Sequence, residues 1–437
     1  MKNLITLLLL SIGLSVNAQL ASVTEGGNTG QRLSVSNAAN HGDIGDKAVD
    51  LSYSDSSSST RGATGYYSTA MGYTTTASGD ASTAMGDETT ASGGASTASG
   101  SRSTASGSAS TAMGSNTTAS GFASTVMGRN TTAIGTSSTA MGYLTTASGP
   151  TSTAMGYESE ASGDYSIAMG ERTTASGESS TAMGYESEAS GNYSIAMGDG
   201  TNASYIASTA MGSNTSASNF ASTAMGSSTS ASGDASTAMG SRTTASDYAS
   251  TVIGQYNSSG STATSADSFS TSAPAFVIGN GTGTSSRSDA FKVMFSGDAT
   301  VSNDLTVNGD VTVTSDARLK ANIVSLGATL SKLLNIDGKT YTVKKNGAQK
   351  IGVLAQDIQE VFPELVSEDN EGMLSVNYQG LIPVLINALK EQQKEITRLK
   401  AQETKLLSQE TKLHIQEKRI ESQEERLKAL ERILSKE

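Results

Sequence analysis

The stretch Ala81-Ser82-Thr83-Ala84-Met85-Gly86-Asp87-Glu88-Thr89-Thr90-Ala91-Ser92-Gly93-Gly94 decides the architecture, because the chain rewrites it every 14 residues. Stepping from Met71 by that interval lands on methionine as far as Met239, except at Ser99, and ends on Ile253. Each of these positions is followed by glycine, from Gly72 to Gly254, and an alanine stands six residues further on, from Ala77 to Ala245. A short period that never slips is the signature of a solenoid in which every copy is one rung stacked on the last.

Within a copy the residues alternate, so that Thr83 and Met85 project to one side and Ser82, Ala84 and Gly86 to the other. That is the two-residue period of a strand. Thr90 to Gly93 supplies a second short strand, and the glycines at both ends are expected to take the positive φ angles that tight corners require. Where the second glycine is missing, Asn219 and Asp247 stand in its place and tolerate that conformation; Tyr205 is the exception. A helix is excluded, since glycine every seven residues among so many serines and threonines costs too much helix propensity.

At about 4.8 Å between paired strands, the stacked rungs predict a thin rod roughly 65 Å long. One side of each rung offers only alanine and glycine, the other one methionine and one threonine. A single chain therefore buries about one large side chain per rung. Covering the methionine stripe with identical copies is the natural remedy, and a homo-oligomer is expected.

The Ser-x-Ala-x-Gly-x-x-x-x-Ala-x-Gly phrase over residues 66–254 resembles the head repeats of trimeric autotransporter adhesins. The resemblance implies a left-handed parallel β-roll in a three-chain bundle, a mainly β N-terminal solenoid. Those adhesins also carry a membrane-anchor β-barrel, of which no counterpart is expected here.

Residues 1–18 read as a secretory signal, with Lys2, an apolar core from Leu4 to Leu14 and a cleavage site at Val16-Asn17-Ala18. That run is too short to span a membrane, and no later one approaches the length required. A secreted or cell-surface protein with no transmembrane segment in the mature chain is expected. Cysteine is absent, so stability must come from stacking and oligomerisation. The net charge is −12, and between Tyr66 and Gly254 there are 13 acidic residues, four arginines and no lysine. Nucleic acid is thereby disfavoured as a partner; host, surface or polysaccharide ligands are the candidates for the β-roll.

Residues 19–65 precede the register of the repeat and read as a capping coil, with Ala48 to Ser52 as a strand and Ser54 to Thr60 as a flexible connector. After Gly254 the repeat stops. Ser258 to Ser272 reads as polar linker, and β-prone runs follow at Ala275–Ile278, Ala290–Phe295, Asp304–Val307 and Asp310–Val313, the last two joined by a hairpin-like Asn308-Gly309. Residues 255–314 are accordingly assigned as a β-rich neck. The glycine-rich run Gly279 to Gly283 lacks the lysine and helix of a phosphate loop and reads as a turn.

At Ser315 the pattern becomes that of an α+β domain. Leu326, Leu330, Leu333 and Leu334 fall at helical spacing, and Lys339 to Val343 is strand-like. Ile351 to Gln356 reads as a buried strand leading into a helix, Asp357 to Phe362, which Pro363 closes. Short strands at Glu364–Val366 and Leu374–Val376 flank an acidic turn, and a long helix begins near Tyr378 with Pro383 in its first turn. On these residues alone Ser315 reads equally well as a helix N-cap.

Ser315-Asp316-x-Arg318-Leu319-Lys320-x-Asn322-Ile323, Ile351-Gly352-Val353-Leu354-Ala355-Gln356, Phe362-Pro363-Glu364-Leu365-Val366 and Val376-Asn377-Tyr378 together resemble the intramolecular chaperone of endosialidase-type phage tail spikes, peptidase family S74. The resemblance places that domain at 315–400. It implies a trimerising domain that templates the fibre before it and then cuts itself off at Thr314-Ser315, with Ser315 as nucleophile and Lys320 as base. Asp316, Arg318 and Asn322 would be supporting residues, the first two holding the turn or bridging subunits. Such an enzyme acts once. A serine hydroxyl needs a neighbour to take its proton, and a lysine can do so only where burial or nearby positive charge lowers its pKa.

Residues 385–437 carry a heptad step through Leu385, Gln392, Leu399, Leu406, Leu413, Ile420, Leu427 and Leu434, with Gln402, Gln409, Gln416 and Gln423 on the companion seam. Polar layers of this kind fix register and chain number at some cost in stability, so a parallel trimeric coiled coil is expected. His41 and His414 lack metal-like neighbours, and no metal or other cofactor is expected. Glu158 and Glu160 read as solvated corner residues. The sequence thus predicts an exported homotrimeric adhesin-like fibre with a self-releasing chaperone. Alternatives are a fibre whose chaperone stays on as a non-cleaving clamp, and a phage-type tail fibre.

Overall fold

The computed structural model describes residues 20–369 and 372–435, so the signal-like segment at 1–18 lies outside the described residues. The protein divides into two compact units, one ending at Asn308 and one beginning at Gly309.

The first unit is a β-solenoid of about 16 turns over residues 31–255. Each rung contributes one five-residue strand, such as Thr83–Asp87, and one two-residue strand, such as Thr90–Ala91. Both sets stack in parallel without any register shift from copy to copy: Thr83 pairs with Thr97, Ala84 with Ala98, and Thr90 with Thr104. Ala84 and Ala91 are fully buried between the two sheets, together with Ser82 and Thr89. Methionine faces outward, and Met71 and Met127 remain 43% and 40% exposed.

Of the two rung glycines only the first takes the expected positive φ. Positive φ at the two corners is carried by ordinary residues, as at Ala81 (φ 53) and Glu88 (φ 52), and by their counterparts in the other rungs. Stacked backbone bonds hold both corners, with Ala81 N–H donating to Tyr66 O at 2.7 Å and Glu88 N–H to Tyr73 O at 2.9 Å. Gly86 does have φ +119, but Gly93 does not adopt the left-handed region; a Cβ there would lie 2.1 Å from the carbonyl oxygen of Gly107 on the next rung. Close approach of backbones is therefore what demands the second glycine. Where Tyr205 and Asn219 replace it, their N–H groups donate instead to the hydroxyls of Ser208 and Ser222, each at 3.2 Å.

Both ends of the solenoid are closed by folded structure. At the N-terminal end the antiparallel hairpin of β1 (Leu20–Glu25) and β2 (Asn28–Leu33) leads to β3 (Val49–Tyr53), which stacks in register on Thr69–Tyr73. The supposed connector is pinned, with Ser58 N–H donating to Ala39 O and the Arg61 guanidinium to the hydroxyls of Ser54 and Ser56. The supposed linker after Gln255 is likewise a strap along the last rungs. Asp234, Ser246 and Tyr248 donate backbone N–H groups to Ala266, Gly260 and Ser265, and the Asp247 carboxylate accepts from the N–H groups of Thr264 and Ser265. Pro274–Asn280 then adds in parallel to Thr251–Gln255, followed by antiparallel strands Asp289–Met294 and Ala299–Val301. The expected strands at Asp304–Val307 and Asp310–Val313 do not form, so Asn308-Gly309 joins no hairpin.

In the second unit Lys339–Thr342 pairs with Gln349–Gly352, and Val366–Glu368 with Leu374–Val376. The helix Ala355–Val361 ends before Pro363, and a 54-residue helix, Leu381–Leu434, follows a turn at Tyr378–Gly380. Its apolar side suits a coiled coil, since Leu399, Leu406, Leu413 and Ile420 are half exposed along it. Ile358, Phe362 and Val384 form the core. Of the leucines expected in one helix only Leu330 and Leu333 lie in one, Leu330–Leu333, whose start is capped by Glu391 accepting from Thr329 N–H at 2.6 Å and Leu330 N–H at 3.2 Å. Ile351, expected to be buried, is 82% exposed, because neither strand of its two-stranded ribbon contributes to the small core.

Candidate active site at Thr314 to Lys320

Residues 302–316 run without regular structure, and a single turn of 3-10 helix, Ala317–Leu319, ends the run. Asp316 caps that turn. Its carboxylate accepts from the backbone N–H of Arg318 at 2.8 Å and from the Arg318 guanidinium at 3.0 and 2.8 Å. The guanidinium, and then the backbone N–H, hold the Asp316 carboxyl below the usual carboxylate range, and the same pairing raises Arg318. The turn closes with Leu319 N–H on Asp316 O and Lys320 N–H on Ala317 O, which folds the chain back so that Lys320 Nζ lies 2.5 Å from Ser315 Oγ.

Ser315 and Lys320 are thus brought together, and Asp316 and Arg318 face each other beside them. Asn322 takes φ 52, a left-handed conformation that asparagine tolerates. Both members of the Ser315–Lys320 pair are exposed in the single chain. They border a cavity of about 620 Å³ whose walls include Val311, Val313 and Thr314 on one side and Asn377, Gln379 and Ile382 on the other.

A second polar cluster escaped the sequence reading. Asp50 is fully buried in the N-terminal cap and receives Arg32 at 3.2 Å, His41 Nδ1 at 3.1 Å and the Ser52 hydroxyl at 2.5 Å. Arg32 also reaches Glu25 at 2.8 Å and the carbonyl of Gly42 at 2.9 Å. The signal was present: Asp50 pairs in register with Ala70, and so occupies the position where later rungs bury alanine. Among the described residues no group of His, Asp or Glu side chains is arranged to hold a metal ion. Along one corner Arg172 bridges Glu158 and Glu186 from neighbouring rungs at 3.1 and 3.0 Å. No helix of the described residues is long and apolar enough to cross a membrane.

A stacked-rung β-solenoid and a small α+β unit whose long terminal helix fits a coiled coil define the class. The YadA head domain repeat matches seven stretches between residues 63 and 257, and the chaperone of endosialidase matches residues 315–367. The chain therefore carries YadA-type head repeats followed by a chaperone-of-endosialidase domain, the Peptidase_S74 family. The repeat matches skip 202–216, the rung that holds Tyr205. The long tail fiber protein Gp37 of Escherichia phage AR1 is 37% identical over 84 residues, which is 17% of this chain and 8% of that protein. Gp37 of Salmonella phage S16 is 32% identical over 96 residues, 20% of this chain and 13% of that protein.

Proposed function

We propose that the chain is an exported, homotrimeric, adhesin-like fibre whose C-terminal domain templates trimer folding and then cuts once at Thr314-Ser315. The head of residues 66–254 would present host, surface or polysaccharide ligands with a stiff binding face, and residues 255–314 would form the neck. The observation that carries the reading is the 2.5 Å approach of Lys320 Nζ to Ser315 Oγ within the span matched by the chaperone family.

In this reaction the Ser315 hydroxyl attacks the carbonyl carbon of Thr314 while Lys320 takes its proton. The bond from Thr314 C to Ser315 N breaks, the proton passes to the departing amine, and the resulting ester is hydrolysed by water to a Thr314 carboxylate. A lysine can take that proton only in its neutral form. Packing of neighbouring copies around the exposed pair would supply the desolvation that frees its lone pair, so cutting waits for assembly.

The test expresses residues 19–437 and follows fragments by intact mass. Breakage at Thr314-Ser315 that disappears in Ser315→Ala and Lys320→Ala supports the proposal, and an intact wild-type chain supports a permanent clamp. A Leu399→Asp/Leu406→Asp chain that sediments as a monomer yet cuts at the normal rate would refute the dependence on assembly. The Gp37 similarities favour a second reading, a phage-type tail fibre. N-terminal sequencing after expression in an exporting host separates the two, since only the exported fibre would begin at Gln19.

A further inference from the structure

The cavity beside Ser315 and Lys320 has a second wall, built where the chain enters the long helix, and that wall holds a polar group with no assigned role. Among the side chains lining the cavity, only Lys320, Asn377 and Gln379 carry N–H donors. Lys320 is engaged with Ser315. The nearby Arg318 guanidinium is turned back onto Asp316 through two bonds.

Asn377 is held from several directions. Its backbone N–H donates to Leu365 O at 2.9 Å, and its carbonyl accepts from Gly380 N–H at 3.1 Å. The side-chain oxygen accepts from that same Gly380 N–H at 3.0 Å. A backbone N–H must face an oxygen, so the orientation of the amide is settled and its NH2 group points away from Gly380 with both hydrogens free of described partners. The adjacent Tyr378 hydroxyl, which accepts from Val353 N–H at 3.2 Å, pins the next residue. Gln379, on the same wall, has no side-chain bond to fix it among the described contacts.

When Ser315 Oγ adds to Thr314, the carbonyl oxygen of Thr314 becomes an anion, and a donor fixed in advance stabilises it without reorganising. We infer that Asn377 is that donor, its Nδ2–H bonding the developing oxyanion of Thr314. The inference rests on the autoproteolytic reading above. As the intermediate collapses and the bond to Ser315 N breaks, the negative charge leaves the oxygen, the carbonyl re-forms as an ester, and the hydrogen bond relaxes.

The residue also caps its turn, so the test must separate donor from cap. In the full chain, Asn377→Asp keeps an oxygen for Gly380 N–H and removes the donor. Cleavage at Thr314-Ser315, timed by intact mass, should slow about 10²- to 10³-fold, with the sedimenting species unchanged, while Gln379→Ala cuts within a few-fold of wild type. Wild-type cleavage in Asn377→Asp overturns the inference. Should Asn377→Asp fail to assemble, Asn377→Ser decides, because its hydroxyl can both accept and donate. A rate between those of wild type and Asn377→Ala supports the donor role, and a rate equal to Asn377→Ala overturns it. If wild type cuts and Ser315→Ala does not, a normal Asn377→Asp rate sinks only this inference; if wild type fails to cut, both fall.

Discussion

Replacing one rung glycine gives a stringent test of why the solenoid holds its period. A Cβ at Gly149 would lie 2.1 Å from Gly163 O and 2.8 Å from Ser162 O. That is roughly 1 Å inside ordinary contact. Gly149→Ala must therefore spread the two rungs locally and give up the bond from Gly149 N–H to Ala161 O, already long at 3.3 Å. Overpacking of this kind costs about 1–3 kcal/mol, but the natural replacements at Tyr205 and Asn219 show a partial remedy in which the serine three residues on accepts the freed N–H. Ser152 stands at that place, and its buried hydroxyl has no described partner. Ser152→Ala alone should thus change little. In the Gly149→Ala background the same change should cost about 1 kcal/mol more, the worth of one hydrogen bond. A repeat array need not unfold in one step, so the double-mutant cycle is read from hydrogen exchange in peptides covering 145–165 of the full chain. Additive effects, or a Gly149→Ala chain as protected as wild type, would refute the close-approach account. Gly142→Ala provides the contrast: its Cβ meets Gly156 O at 2.0 Å and its φ is +129, so backbone strain of about 1–3 kcal/mol is added to the clash.

Two further outcomes follow from the charges. Burial alone would raise the Asp50 carboxyl, but hydrogen bonds from His41 and Ser52 outweigh it and hold the group below its ordinary 3.8. A depressed folded pKa stabilises the cap above about pH 3.8 and ceases to do so as pH falls through the lower folded value. Acid titration of exchange protection in residues 20–60 should show that loss, and Asp50→Asn should cost the cap about 3–5 kcal/mol by stranding Arg32 and His41; a cap indifferent to both would contradict the network. Arg172→Ala, by contrast, should shift unfolding by less than about 1 kcal/mol, and less still at high salt, because the pairs it makes with Glu158 and Glu186 are solvent-exposed. A large loss seen in denaturant melts would show that corner ladders carry stability.

The legible and illegible parts of the sequence differ in kind. Period, strand alternation and the small inward residues are properties of single rungs, and they can be read directly from Ser82, Ala84 and Met85. What a glycine is for depends on the next rung: the letters at Gly93 cannot distinguish a corner needing positive φ from a site where a Cβ would lie only 2.1 Å from the neighbouring carbonyl oxygen. The caps were hidden for a related reason. Ser258 to Ser272 has the composition of a linker, yet its carbonyls and amides answer unpaired groups at the end of the stack, a match set by geometry and not by residue type. The pairing of Ser315 with Lys320 was suggested by motif, while the wall at Asn377, more than 50 positions later in the sequence, became visible only once the fold brought it to the same cavity.

The two units leave apolar surface uncovered to different degrees, and this bears on the proposed fibre and its proposed folding module. In the solenoid each rung satisfies its backbone on the rung above and below, and the uncovered remainder combines outward methionines such as Met71 and Met127 with exposed aromatic rings such as Tyr67, Phe122, Tyr165 and Tyr193. In the second unit only Ile358, Phe362, Val384 and Ala388 are buried apolar residues among those described, while Ile351, Val324 and Leu334 are 82%, 83% and 77% exposed. Covering each such side chain would be worth about 1.5–3 kcal/mol, so in the proposed trimer this domain stands to gain more from meeting copies of itself than from its own core. If the proposed trimer forms, its assembly is expected to begin there, with the long helix aligning the chains before the rungs stack. Exposed apolar side chains also adjoin Ser315 and Lys320 in sequence, at Leu319 and Ile323, both more than two-thirds exposed. In the proposed trimer, burying them would dry the pair, which is the coupling that the proposed cleavage after folding requires.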